Sequence, residues 1–182
     1  MARNIITGID IGSSTVRVVT VEQKKDGGLN VLAISQKESE GVRRGFINNL
    51  EAAAKTINSA VKSAEKASGV PIKRVILSVG GIGLGSCRAK GMIRTSKVDG
   101  EITEHDIKRL IAQSESNLVN VSNKRIIHTI PLSFKIDNNL VHGRPTELKG
   151  TKLEVETLFI TYINLHLSDL IKTVESTGLV ID

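Results

Sequence analysis

Residues 5–21, IITGIDIGSSTVRVVTV, decide the fold of this chain. An isoleucine-rich run precedes a short polar turn and a valine-rich run follows it, which predicts two β-strands joined by a tight turn. Small residues in the turn expose backbone N–H groups, and serine hydroxyls add donors, so the turn could cradle a phosphate. Asp10, at the end of the first strand, could hold a hydrated Mg²⁺. Taken alone, the string fits an ordinary hairpin better than a phosphate site.

The composition indicates a globular protein with an aliphatic core. The 182 residues suffice for one sizeable domain or two small ones, and 40% of them are hydrophobic. Aromatic residues make up only 2%, so few side chains could stack on nucleic-acid bases. The net charge of +6 comes from scattered basic residues, which favours a solvated surface and argues against a nucleic-acid partner.

Cysteine use and hydropathy bear on the compartment. Cys87 is the only cysteine, which excludes an intrachain disulfide and fits a reducing environment. The chain shows no signal-peptide core and no apolar run of transmembrane length, so we predict a cytoplasmic protein.

The first part of the chain predicts an α/β layer. A third strand over Leu29–Ser35 extends the hairpin into an antiparallel meander. The loop Glu40–Phe46, in which two glycines bracket two arginines, is interpreted as an exposed connector rather than an anion site. A helix begins after Asn48 or Asn49, buries a face that starts at Leu50, and ends at Gly69. The strand Arg74–Val79 is predicted to be buried on both faces.

The middle of the chain predicts a separate small α+β unit. Glycines at 80–85 are interpreted as a flexible passage into it, and Thr103 begins its helix with an acidic first turn. Pro131 interrupts one long strand and should therefore lie at an edge or a bulge. The strands of this unit are predicted at 87–94, 124–136, 140–143 and 153–163.

The last residues return to the first layer. Ser168 is predicted to cap a final helix, which ends at Gly178. Residues 179–182 read as the opening of another strand. We therefore expect the chain to be a fragment of a longer protein.

Several strings together carry a family resemblance. Gly8–Ser14 resembles the first phosphate motif of the actin/Hsp70/sugar-kinase ATPase superfamily. Later strings resemble the FtsA family of bacterial cell-division proteins, and the R-x-x-H-x-I-P pattern at 125–131 resembles the SHS2 insertion of that family. The strings that carry this resemblance are Val75–Gly81, Gly91–Ile93, Ile102–Ile107, Arg125–Asp137 and Val174–Leu179.

The resemblance implies a fold and a division into domains. The fold class is α/β with an α+β insert: an actin/Hsp70-like subdomain 1A of ribonuclease-H type, interrupted by an SHS2 subdomain 1C. Subdomain 1A is expected at residues 1–79 and 160–182, and 1C at residues 80–159. The resemblance covers the whole chain but only about the first half of such a protein.

The resemblance also implies a function. A member of the FtsA family would polymerise, with subdomain 1C contacting the neighbouring subunit, and would link the FtsZ ring to the membrane together with other divisome proteins. The implied location is the cytoplasmic face of the inner membrane at the division site. A C-terminal amphipathic helix, expected beyond Asp182, would attach the protein to the membrane. We hypothesise that charge reversal at Lys124–Arg125 or at Glu104–Asp106 weakens self-association, because these charges are expected to be exposed.

By motif matching, the resemblance implies ATP and Mg²⁺ as cofactors. Asp10 would face Mg²⁺ through water, and Gly12, Ser13, Ser14 and Thr15 would face the terminal phosphates. Arg17 occupies a position at which many relatives have lysine, and we include it among the cofactor-binding residues. Its guanidinium keeps the positive charge but differs from a lysine ammonium in geometry and reach. At most a weak ATPase activity is implied, without an assigned catalytic residue. The remaining nucleotide contacts are expected beyond Asp182, so this fragment should bind ATP weakly or not at all.

Two alternatives stay open, and other candidate sites are weaker. An actin-like protein of type IV pilus assembly would share the fold and the insert. A sugar-kinase-type enzyme should carry a substrate-activating aspartate, and nothing in the sequence matches one.

His128 is interpreted as structural or solvent-facing, and His105, His142 and His166 are too dispersed for a metal site.

Overall fold

The opening stretch forms the predicted hairpin. Strand β1 (Asn4–Ile11) pairs antiparallel with β2 (Thr15–Gln23), and β2 pairs antiparallel with β3 (Leu29–Glu38). The register of β2 and β3 shifts between Thr20 and Val21, as at a β-bulge. The predicted meander is confirmed.

Two compact units make up this computed structural model, which describes residues 4–182. Within those residues, unit 1 comprises 4–84 and 163–182, and unit 2 comprises 85–162. No helix in the described part of the chain is both long enough and apolar enough to span a bilayer.

The main sheet of unit 1 has five strands. Strand β6 (Arg74–Ser78) runs parallel to β1, and β11 (Val180–Ile181) runs parallel to β6, which gives the order β11-β6-β1-β2-β3. Strands β4 (Val42–Arg43) and β5 (Phe46–Ile47) form a separate small hairpin.

Helix α1 (Leu50–Ser68) has the predicted ends. The Asn49 side chain accepts a hydrogen bond from the Ala52 N–H at 3.1 Å, and Gly69 ends the helix at φ 70°. The apolar face predicted for this helix is buried from Ala53 onward. The prediction for Leu50 is wrong: its side chain is 46% exposed, because it precedes the first turn that packs on the sheet.

Helix α3 (Asn164–Glu175) begins earlier than predicted. It follows β10 (Lys152–Ile163) directly, and no side chain caps its N-terminus. Ser168 therefore lies inside the helix, and the prediction that it is the cap is wrong. Leu167, Leu170 and Val174 are buried, so packing rather than a cap places this helix.

One face of the main sheet stays open. The residues of β1 and β2 that form the core of unit 1 point towards α1 and α3. Ile34, Ile76 and Val19 are 70%, 52% and 38% exposed, and they line an apolar groove of about 400 Å³. The prediction that β6 is buried on both faces is therefore wrong, because the helices of unit 1 pack on the other face.

Unit 2 is a four-stranded sheet covered by one helix. Its strands are β7 (Leu84–Arg94), β8 (Lys124–Ile136), β9 (Asn139–Val141) and β10, in the order β7-β10-β8-β9. Ile107 and Leu110 of α2 (Glu104–Ser116) share a buried core with Leu153 and Val155 of β10. Strand β9 pairs only with residues 134–136 of β8. Pro131 therefore lies on a part of β8 that has no β9 partner, which is an edge position, as predicted.

A capping box begins α2. The Thr103 hydroxyl accepts from the Asp106 N–H at 3.2 Å, and the Asp106 carboxylate accepts from the Thr103 N–H at 3.0 Å. Burial opposes ionisation of Asp106, but hydrogen bonds from Thr103 and Ser96 outweigh it and hold its pKa at about 2. Asp106 is fully buried, so the hypothesis that its charge is exposed is wrong.

Candidate phosphate-binding site

The turn between β1 and β2 is tight. The Gly12 N–H donates to the Thr15 carbonyl at 3.0 Å, and a Cβ added at Gly12 would lie only 3.1 Å from that oxygen. The Ser14 carbonyl accepts from the Ser39 N–H at 2.9 Å, which ties the turn to the end of β3. Ser13 and Ser14 are exposed. The turn therefore presents the exposed Ser13 and Ser14 in a fixed shape.

Asp10 lies at the end of β1, directly opposite Arg17 on β2. Arg17 Nη1 is 3.8 Å from Asp10 Oδ2, and both side chains are at least half exposed. An exposed pair of this kind contributes about 1 kcal/mol or less. The Asp10 carboxylate therefore remains accessible to water and to a hydrated cation.

A second loop contacts the turn. The β4–β5 hairpin carries Arg44 and Gly45 at its tip, with φ angles of 51° and 82°. The Gly45 N–H donates to the Ser13 hydroxyl oxygen at 2.8 Å. The tip of this hairpin is thus anchored to the candidate phosphate turn.

The glycine-rich segment after β6 also lies against the β4–β5 hairpin. Gly81 has φ 86°, and a Cβ added there would lie 3.4 Å from Gly45 Cα and 3.5 Å from the Arg44 carbonyl. The left-handed backbone favours glycine at this position, whereas the added Cβ itself would make only ordinary van der Waals contacts.

Together the three segments enclose a cavity of about 360 Å³. It is lined by Asp10, Ile11, Gly12, Ser13, Arg44, Gly45, Gly80, Gly81 and Ile82. Of the six residues assigned from the sequence, the structure places Asp10, Gly12 and Ser13 at the cavity. Ser14, Thr15 and Arg17 are not among its lining residues.

Sequence reasoning missed the second and third sides of this cavity. The sequence predicts Arg44 and Gly45 to be part of an exposed connector, and Gly80 and Gly81 to be part of a passage between subdomains. The bracketing glycines were the available signal, because they mark backbone that adopts a left-handed conformation. The proximity of the three loops arises from the strand order, which no local pattern shows.

Other candidate residues lie away from this cavity. His105, His128 and His142 are exposed, and the His166 ring stacks on Phe46 with centroids 3.7 Å apart. Within residues 4–182, no group of three or more His, Cys, Asp or Glu side chains could hold a metal ion. A single carboxylate such as Asp10 still suits Mg²⁺, which takes one or two protein carboxylates and keeps several waters.

Comparisons with known proteins identify the relatives of the chain. Residues 81–161 match the family model described as the SHS2 domain inserted in FtsA. The whole chain aligns with the cell division protein FtsA of Borreliella burgdorferi at 29% identity and of Streptococcus pneumoniae at 34% identity. It covers 44% and 40% of those proteins, so it spans about two fifths of the length of the curated relatives that it matches.

A solved structure shares the fold. The PilM–PilN type IV pilus biogenesis complex matches with a TM-score of 0.63 over 97% of this chain and 45% of that chain, at 12% identity. Identity this low shows similarity of fold alone. The predicted α/β fold class, actin-like with an SHS2 insertion, is confirmed. The chain is thus similar over its whole length to the cell division protein FtsA, and its residues 81–161 match the family model of the SHS2 domain inserted in FtsA.

Proposed function

We propose that this chain is the N-terminal part of an actin-like cell-division scaffold. The scaffold polymerises and links the FtsZ ring to the cytoplasmic face of the inner membrane at the septum, together with other divisome proteins. The observation that carries the proposal is the SHS2 match at residues 81–161 within a chain that resembles FtsA from end to end. In this proposal, unit 1 is subdomain 1A and unit 2 is subdomain 1C.

The cavity in unit 1 supplies part of a nucleotide site in this proposal. Gly12, Ser13, Ser14 and Thr15 hold the terminal phosphates of ATP, and Asp10 holds Mg²⁺ through water. The tight turn at Gly12 and the exposed Ser13 and Ser14 support this assignment, since backbone and hydroxyl donors suit phosphate oxygens. The bound Mg²⁺ would neutralise phosphate charge. The remaining nucleotide contacts come from the rest of the protein.

Capture of FtsZ tests the proposed function. The full-length protein that contains this chain, immobilised with Mg-ATP, is expected to retain purified FtsZ, and a sample without the immobilised protein serves as the control. Absence of FtsZ capture would contradict the division role and would favour the pilus-assembly alternative.

Unit 2 serves as the subunit contact in this proposal. Lys124 and Arg125, at the start of β8, are exposed, so their charges are available to a neighbouring subunit. Glu104 differs, because its carboxylate is held by Arg144 and by the Thr146 hydroxyl. The contact is therefore tested at Lys124 and Arg125 rather than at α2.

Double charge reversal at the contact should weaken polymers. For full-length protein carrying Lys124→Glu and Arg125→Glu, we expect pelleting with Mg-ATP to fall to roughly half or less, because like charges across an interface repel. Lys62→Glu, on the exposed face of α1 in unit 1, is the control and should pellet normally. Equal pelleting of the double variant and the wild type would exclude these two residues from the contact.

A further inference from the structure

The β4–β5 hairpin has a conformation that is unusual for its sequence. Val42 pairs with Ile47 and Arg43 with Phe46, which leaves Arg44 and Gly45 as a two-residue loop. Both loop residues have positive φ, as a type I′ turn requires. Asparagine or glycine is the usual first residue of such a turn, and an arginine there is held in a strained left-handed backbone conformation. The strained residue lies at the candidate site, where such strain commonly serves function.

The base and the tip of this hairpin are both held in place. At the base, the Gly41 carbonyl accepts from the N–H groups of Asn48 and Asn49 at 2.9 Å and 3.2 Å. At the tip, the Gly45 N–H donates to the Ser13 hydroxyl oxygen, and Gly81 packs against Gly45. Arg44 is therefore positioned beside the phosphate turn by contacts on both sides of it.

No residue of the described range 4–182 neutralises the charge of Arg44. Asp10, the acidic residue that lines the cavity, lies opposite Arg17 at 3.8 Å. Arg44 is exposed, forms no ion pair with any residue in the described range 4–182, and is the basic residue among those that line the cavity. The charge of this exposed side chain is therefore available to an anion near the cavity.

We propose that Arg44 binds the terminal phosphates of the nucleotide held by the β1–β2 turn. This inference rests on the proposed nucleotide site and adds a binding residue to it. The planar guanidinium offers paired N–H donors that match phosphate oxygens bidentately, and the glycine-rich walls let backbone approach the ligand closely. Arg44 and the Gly12–Ser13 turn would thus contact the phosphates from two sides.

Substitution at the hairpin tip separates this role from folding. Arg44→Asn creates an Asn-Gly pair, the preferred type I′ sequence, so the turn is kept while the charge is lost. Arg43→Asn is the matched control, since Arg43 precedes the tip and does not line the cavity. Arg44→Lys keeps the charge without the bidentate geometry.

The experiment is an amide NMR titration of the full-length protein that contains this chain with tripolyphosphate, without Mg²⁺ and at constant ionic strength. We expect Arg44→Asn to weaken binding about tenfold, Arg44→Lys to weaken it about threefold, and Arg43→Asn to leave it within about twofold. A parallel titration with orthophosphate distinguishes a free ion from a nucleotide's phosphate chain, and tripolyphosphate should bind more tightly.

Each other outcome counts against the inference. If the wild type binds tripolyphosphate and the Arg44→Asn variant binds it with the same affinity, the proposed role of Arg44 is overturned and the proposed nucleotide site stands. Equal losses for Arg43→Asn and Arg44→Asn would show a general charge effect, which also overturns it. Equal affinity for orthophosphate would overturn the assignment to a phosphate chain. Absence of binding to the wild type would overturn both the inference and the proposed nucleotide site.

Discussion

Replacing Gly91 with valine is expected to destabilise unit 2 by about 3 kcal/mol or more, the largest effect that we predict for a single substitution. Gly91 lies on β7 beneath α2, and a Cβ added there would be 2.6 Å from the Leu110 carbonyl oxygen and 2.9 Å from the Ser114 N. These are backbone atoms of a helix, so the whole helix must shift to make room. Such a shift would also break two hydrogen bonds between β7 and this end of α2. The Asn117 side-chain amide donates to the Lys90 carbonyl, and the Met92 N–H donates to the Gln113 side-chain oxygen.

Urea denaturation with hydrogen exchange measures this effect on the whole chain. The amides of α2 and β10 should exchange faster in Gly91→Val than in the wild type, because unit 2 opens more often. Gly85→Ala on the same strand is the control: its new Cβ would meet Thr161 Oγ1 at 3.4 Å, an ordinary contact. Wild-type protection of the α2 amides in Gly91→Val would contradict the close packing of β7 and α2.

Replacing Asp106 with asparagine is expected to cost about 1.5–2 kcal/mol near neutral pH. The carboxylate accepts hydrogen bonds from Thr103 and Ser96, and an amide nitrogen in its place would oppose the Thr103 N–H donor. The cost stays below the full value that the pKa shift implies, because the side-chain oxygen of asparagine can still accept one of these hydrogen bonds.

The pH dependence has a defined sign. The pKa of Asp106 falls from 3.8 in the unfolded chain to about 2 in the folded one, so the folded state favours the ionised carboxylate. This contribution is complete above pH 3.8 and is lost as the pH falls through about 2. Urea midpoints of the wild type and of Asp106→Asn should therefore converge in acid. Asp99→Asn, at an exposed loop position, should show little difference at any pH. A constant gap between wild type and Asp106→Asn down to the lowest pH would contradict the assignment.

Local sequence rules accounted for most elements of this fold. The meander, the Asn49 and Gly69 ends of α1 and the Thr103 cap of α2 each depend on a few adjacent residues, so a short string predicts them. Strand β8 was predicted with the bounds that the structure shows, Lys124–Ile136. Helix α3 was not, because it follows a strand without a capping side chain and is placed by buried leucines.

Burial and site geometry were harder to predict, since both depend on tertiary contacts. An apolar run such as Arg74–Val79 suggests burial on both faces, but exposure of Ile76 depends on which elements pack on the sheet. Asp106 resembles an ordinary acidic residue of a first helical turn, and only the three-dimensional structure shows that it is buried. The candidate site shows the same limit: the β1–β2 turn was predicted from its own residues, whereas Arg44 reaches it through the β4–β5 hairpin.

The tripolyphosphate titration of the wild-type full-length protein tests the central claim most directly, namely that the β1–β2 turn and the β4–β5 tip form one phosphate-binding site. The account predicts that the amide resonances of Gly12, Ser13 and Gly45 shift together and saturate at a common ligand concentration. Shifts that do not saturate, or that are confined to residues away from these three, would contradict it.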